Sequence, residues 1–141
     1  ARAIMPNIII QGLKGRKIKL GSFFPTRDLT YVEDAVGGFI CFAQADKTIG
    51  EIAHLGTNQQ VSILELVDLI GQMLHKNLTA KSERRRVRPQ KSEVERLVAD
   101  ISKAKKLLNW KPKISLEKGI EKTIKWMDEN SWRYKKEIYN I

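Results

Sequence analysis

Two segments of this 141-residue sequence bring together residue types suited to chemistry. The first is Thr26-Arg27-Asp28-Leu29-Thr30-Tyr31-Val32-Glu33-Asp34. Its Arg-Asp pair leaves a loop, enters a β-prone run and passes through an acidic pair into an amphipathic helix. A guanidinium suits a diphosphate because its planar fork gives paired hydrogen bonds at full charge. A surface ion pair between Arg27 and Asp28 accounts for the same spacing. The second segment is Arg84-Arg85-Arg86-Val87-Arg88-Pro89-Gln90-Lys91-Ser92-Glu93, with five basic residues in eight positions. Their mutual repulsion would be relieved by a nearby anion, and Pro89 stiffens the chain after Arg88. A solvated basic loop is the bland alternative. Nucleic acid is a subordinate one, since no helix-turn-helix, zinc finger or aromatic platform accompanies the basic run.

The remaining catalytic inventory is thin. His54 and His75 have no Cys or second His at ligand spacing, so no zinc-type site is expected. Cys41 lies between Ile40 and Phe42 in an apolar helix and reads as an inert thiol. There is no Gly-x-Ser-x-Gly elbow, no phosphate loop and no Gly-x-Gly-x-x-Gly fingerprint. Gly12 and Gly15 read as a helix stop.

The elements that must position these residues form a mixed α/β series. Pro6 fits the first turn of a helix carrying Ile8, Ile9, Ile10 and Leu13. Residues 17–20 alternate as a half-buried strand, and residues 21–26 form a loop. Leu29 to Val32 is β-prone. From Glu33 a helix sets Val36, Phe39, Ile40 and Ala43 on one face, and Glu51 to Leu55 reads as a short strand. Ser62-Ile63-Leu64-Glu65 is a capping box for a helix carrying Leu66, Leu69, Ile70, Met73 and Leu74. Strands are expected near 77–81 and 97–99. Asp100 is placed to cap a helix over 102–108. Ser115 caps a last helix striped with Leu116, Ile120, Ile124 and Met127. No internal repeat is evident.

Composition bounds the class. Hydrophobic residues make up 42% and charged residues 30%, a globular balance sufficient for one domain. One cysteine excludes an internal disulfide framework and fits a reducing, cytoplasmic setting. No apolar run has the length of a membrane span, and no secretory leader opens the chain. The net charge of +10 is uneven: residues 1–79 contribute +1 and residues 80–141 contribute +9. The chain opens on Ala1 and runs directly into Ile4, Pro6 and Ile8, as if cut from something larger.

The two chemical segments, in this order, resemble the carboxy-terminal part of extended short-chain dehydrogenase/reductases, above all nucleotide-sugar 4,6-dehydratases and epimerases. The matching blocks are Arg27 to Asp34, then His54-Leu55-Gly56-Thr57-Asn58. After them come Arg88 to Glu95, and Ala99 through Leu108-Asn109-Trp110-Lys111-Pro112. The family's usual Gly is Asn109 here, which also tolerates a left-handed helix end. The wording of 88–95, with the closing 134–140 stretch, looks most like bacterial N-acetylhexosamine nucleotide 4,6-dehydratases.

The resemblance implies a substrate-binding lobe of an extended Rossmann-type fold, with residues 29–56 completing the edge of the main sheet. It implies Arg27 on the nucleotide diphosphate or ribose, Arg88 as the second diphosphate arginine and Glu93 near the ribose hydroxyls. Asn58 would line the nucleotide end of the cleft, with Lys19 and Leu20 offering main-chain groups along the base. The implied partner is a UDP-, GDP- or dTDP-linked sugar, with neither membrane nor nucleic acid involved. The intact enzyme would use NAD or NADP and form a homodimer. The family's glycine-rich cofactor turn and Tyr-x-x-x-Lys pair are not in this sequence, since Tyr31, Tyr134 and Tyr139 lack a Lys four residues on. No catalytic residue is therefore assigned.

Overall fold

The computed structural model describes residues 3–87 and 89–134, apart from the side chain of Gln90. In chain order its elements are α1 (Ile4–Lys14), β1 (Lys17–Leu20), β2 (Thr26–Arg27), α2 (Val32–Gln44) and β3 (Val61–Ser62). They continue with α3 (Ile63–Met73), β4 (Thr79–Ser82), β5 (Arg96–Leu97), α4 (Ser102–Leu108) and α5 (Leu116–Glu129). Short 3-10 turns occupy Asp46–Thr48, Arg84–Arg86, Gln90–Ser92 and Ser131–Arg133. The chain divides into two compact units: Ala1–Pro25, Ser62–Glu95 and Ile120–Ile141 form the first, Thr26–Val61 and Arg96–Gly119 the second.

In the first unit β1 and β4 pair in parallel, Lys17 beside Thr79 through Leu20 beside Ser82. The alternation read in 17–20 is real, with Ile18 and Leu20 buried and Lys17 and Lys19 exposed. Helix α1 packs on α3 and on β1. Ile8 and Ile9 of α1, Leu66, Val67 and Ile70 of α3, and Ile120 and Met127 of α5 are all buried. Each such side chain contributes about 1.5–3 kcal/mol on burial. The capping box forms as expected: Ser62 Oγ accepts from the Glu65 amide at 3.2 Å, and Glu65 accepts from the Ser62 amide at 2.7 Å. Helix α1 runs on through Gly12 and ends at Gly15. Its last carbonyls are satisfied from afar, because Lys76 Nζ donates to Gly12 O at 2.8 Å and Leu13 O at 2.9 Å.

In the second unit β2 is the middle strand of a three-stranded sheet ordered β3-β2-β5. Strands β2 and β5 run parallel, with Arg27 beside Leu97. The core is small: Ile101, Ala104 and Trp110 are buried, with Cys41, Ala53, Leu55, Ala99 and Leu108 packed against them. Asn109 ends α4 at φ 51°, the left-handed conformation that Asn tolerates. Asp100 accepts from the Ser102 amide at 2.9 Å, one residue before the formal cap at Ile101.

Two expected strands of this unit are absent. At 29–32 the pairing stops after Asp28, whose amide donates to Leu97 O at 2.9 Å. The chain then turns into α2, where the Tyr31 carbonyl accepts from the Asp34 and Ala35 amides. At 51–55 the alternation is present, with Ala53 and Leu55 half-buried and Glu51, Ile52 and His54 exposed. No described strand pairs with it.

Helix α2 also departs from expectation in which face it buries. Asp34, Gly38 and Cys41 face the core: Asp34 and Gly38 are buried, Gly38 lies against Leu55, and Cys41 joins the Trp110 cluster. The opposite stripe is apolar and exposed, with Val32 at 62%, Val36 at 47%, Phe39 at 67% and Ile40 at 51%. A helix apolar on both sides is one that ordinarily lies between two layers.

Candidate functional site

Arg27 sits on the central strand of the second unit's sheet, where its backbone is held on both sides. Its guanidinium Nη1 donates to Thr26 O at 2.8 Å. It lines a cavity of about 210 Å³ together with Leu29, Thr57, residues 59–61 and residues 112–116; Asn58, beside Thr57, is not in the lining. Arg27, Lys113, Gln59, Gln60, Thr57 and Ser115 supply donors there, and Leu29, Ile114 and Leu116 supply apolar wall. No carboxylate lines the cavity.

Two aspartates of the segment carrying Arg27 hold these segments. Asp28 accepts from the Thr57 amide at 2.8 Å through Oδ1 and 3.0 Å through Oδ2. It also accepts from the Thr57 hydroxyl at 2.6 Å, the Asn58 amide at 3.0 Å and the Ala99 amide at 3.3 Å. Asn58 takes a left-handed φ of 58° at this corner. Gly56 is required beside it, because a Cβ would fall 2.7 Å from Asp28 Oδ2 and collide with Ala99. Asp34 is 6% exposed and accepts from the Lys113 amide at 3.0 Å and the Ile114 amide at 2.9 Å. Its carbonyl accepts from Trp110 Nε1 at 3.3 Å. Both carboxylates are thus hydrogen-bonded by backbone amides of the segments that line the cavity.

The other residues assigned from sequence divide between the units. Arg27 and Asn58 belong to the second unit, whereas Lys19, Leu20 and Glu93 belong to the first. Arg88 lies outside the described residues, as do 135–140 of the closing stretch. Both main-chain groups of Lys19 are engaged within the chain: its amide donates to Gln11 Oε1 at 2.8 Å, and its carbonyl accepts from Gln11 Nε2 at 3.1 Å. The Leu20 carbonyl accepts from the Glu83 amide at 2.8 Å. Glu93 is half-buried.

The basic run is more structured than a solvated loop. Arg85 and Arg86 both pair with Glu83, at 2.9 and 2.5 Å. The Arg86 hydrogen bond, ahead of the Arg85 contacts, holds the Glu83 carboxyl below its ordinary range. The turn lies so close over Gly21 that a Cβ there would collide with the Arg86 carbonyl. The sequence singles out none of Gln59, Gln60 and Lys113, and marks Ser115 only as a helix cap. The first three merely flank recognised blocks.

Among the described residues no group of three or more His, Cys, Asp or Glu gathers to hold a metal, and no helix is long and apolar enough to cross a membrane. Among the described residues, the two glycines of 12–15 make no phosphate-binding turn: Gly12 lies inside α1 against Leu74 and Leu78, and Gly15 caps that helix.

A family profile described as GDP-mannose 4,6 dehydratase matches residues 2–123. The chain is 39% identical over 106 residues to the UDP-glucuronate 4-epimerase of Thermodesulfobacterium geofontis, covering 74% of this chain and 31% of that protein. It is 30% identical over 128 residues to human dTDP-D-glucose 4,6-dehydratase, covering 82% and 33%. Its fold superposes, with a TM-score of 0.82 and 28% identity, on the UDP-glucuronic acid 4-epimerase of Bacillus cereus in complex with UDP-glucuronic acid and NAD. That match covers 91% of this chain and 40% of the other. The chain therefore spans about a third of the length of these two relatives. With the Arg27-to-Asp34 segment, the His54-to-Asn58 corner and the Asn109-to-Pro112 turn placed as described, the chain belongs to the extended short-chain dehydrogenase/reductase family of nucleotide-sugar epimerases and dehydratases.

Proposed function

We propose that this chain is the nucleotide-diphosphate-binding portion of an NAD-dependent nucleotide-sugar 4,6-dehydratase or 4-epimerase, with Arg27 as a diphosphate ligand. The observation that carries this reading is the carboxylate-free cavity lined by Arg27, Lys113 and four neutral donor residues. A diphosphate there gains charge-assisted, paired hydrogen bonds from a guanidinium whose strand is fixed on both sides. Arg88 is the second diphosphate arginine in this reading, and Glu93 and Asn58 serve the ribose and nucleotide ends. Cofactor and proton chemistry belong to residues this sequence does not contain.

The exposed α2 stripe supports a second part of the proposal, that residues 29–56 complete the edge of a larger sheet. The alternating but unpaired run 51–55 and the exposed Val32, Val36, Phe39 and Ile40 are the surfaces such a sheet would cover. The relatives' additional length can supply it.

Calorimetric titration tests the reading. Saturable binding of UDP-, GDP- or dTDP-sugars is expected, weakened about 10- to 100-fold by Arg27→Ala. No dehydratase or epimerase turnover is expected from this chain with NAD. Binding of many DNA sequences with a steep salt dependence, and none of nucleotide sugars, would instead identify a nucleic-acid module.

A further inference from the structure

We infer that Asp28 is a positioning residue for the Arg27 site, acting through the backbone rather than by touching the ligand; the inference rests on the reading of Arg27 given above. Its carboxylate takes the amides of Thr57, Asn58 and Ala99 and the Thr57 hydroxyl, at 2.6–3.3 Å. These donors come from two segments, 57–58 and 99, which meet beside Asp28 where Gly56 lies against Ala99. Thr57 lines the cavity with Arg27. Ala99 lies two residues beyond Leu97, the strand partner of Arg27. The same carboxylate therefore fixes the neighbouring loop and the neighbouring strand with respect to the residue before it.

The corner at 56–58 is costly to hold otherwise. Asn58 has a left-handed φ, and its amide is one of those Asp28 accepts from. A charged acceptor supports such a corner better than a neutral one, because each N–H···O⁻ bond is roughly twice as strong. Gly56 has its place for the same reason, as any side chain there would push into Asp28. The acidic partner of the Arg-Asp pair is thus explained by what it holds.

Asp28→Asn is the informative variant. The amide retains one acceptor oxygen but turns N–H donors toward the Thr57 and Asn58 donors. UDP affinity is measured by titration for the full chain, Arg27→Ala, Asp28→Asn and the double variant, with thermal melts confirming that each is folded. The inference expects Asp28→Asn to weaken binding about tenfold, with that loss vanishing in the Arg27→Ala background. A merely structural role would lower both backgrounds equally. Thr57→Val removes only the hydroxyl bond; it takes the place of Asp28→Asn in the cycle if that variant does not fold, with a smaller loss of the same pattern expected. Wild-type affinity in the substituted chain, or an equal loss in both backgrounds, overturns the inference and leaves the Arg27 reading standing. Unchanged affinity in Arg27→Ala overturns both.

Discussion

The two units stabilise themselves by different means. The first closes long aliphatic side chains from α1, β1, α3 and α5 into a buried core, with Ile8, Ile9, Ile18, Leu66 and Ile70 at 0% exposure. The second has three buried residues in its core cluster, Ile101, Ala104 and Trp110, and relies on carboxylates that hold backbone amides. It also leaves one apolar side of α2 exposed. The contrast teaches where rigidity and function separate. Apolar burial is non-directional, whereas aspartate-to-amide bonds fix loops in specific geometry. The Arg27 cavity is built in the unit that uses the directional bonds.

The largest way to break this contrast lies in the first unit. Leu66→Ala should destabilise the protein by about 3 kcal/mol, the ordinary cost of a cavity at a fully buried leucine. Denaturant titration followed by circular dichroism measures it. In the second unit Asp34→Ala should cost about 2–3 kcal/mol, because the Lys113 and Ile114 amides lose a charged acceptor. The same titration measures that loss. UDP binding should fall with it, since residues 113 and 114 line the cavity.

The exposed stripe sharpens the comparison in the opposite direction. Phe39→Glu combined with Ile40→Lys should change stability by less than about 0.5 kcal/mol, because these exposed side chains bury little in this chain. Denaturant titration measures it. The smallest effect is on acid stability. Glu83 has its pKa lowered first by the Arg86 hydrogen bond, so its contribution is present above the ordinary value of 4.5 and is lost as pH falls through the depressed value. Glu83→Gln should flatten the fall of the melting temperature as pH drops below about 4.5, as followed by thermal melts.

Much of the first unit was legible in the sequence because its signals are local. The capping box at Ser62 and Glu65, the alternation of 17–20 and the stripe carrying Leu66 and Ile70 each specify their own element. The second unit was legible mainly through resemblance. Leu29 to Val32 has β propensity, yet the Tyr31 carbonyl starts a helix there, and tertiary pairing moves the strand to 26–27. The α2 pattern gave the helix correctly but could not distinguish a covered apolar face from an uncovered one. Asp28 looked like half of an ion pair, since its amide partners lie 29 to 71 residues away along the chain. Lys113 and Gln60 carry no pattern of their own, and only the folded loops bring them to Arg27.

Arg27 is proposed to give this chain a diphosphate site. Phosphorus NMR of UDP titrated with the full chain tests it most directly. Both phosphate resonances should shift saturably with the wild-type chain, and the shift should be largely lost with Arg27→Ala. Resonances that do not move with the wild-type chain, or that move equally with Arg27→Ala, would contradict it.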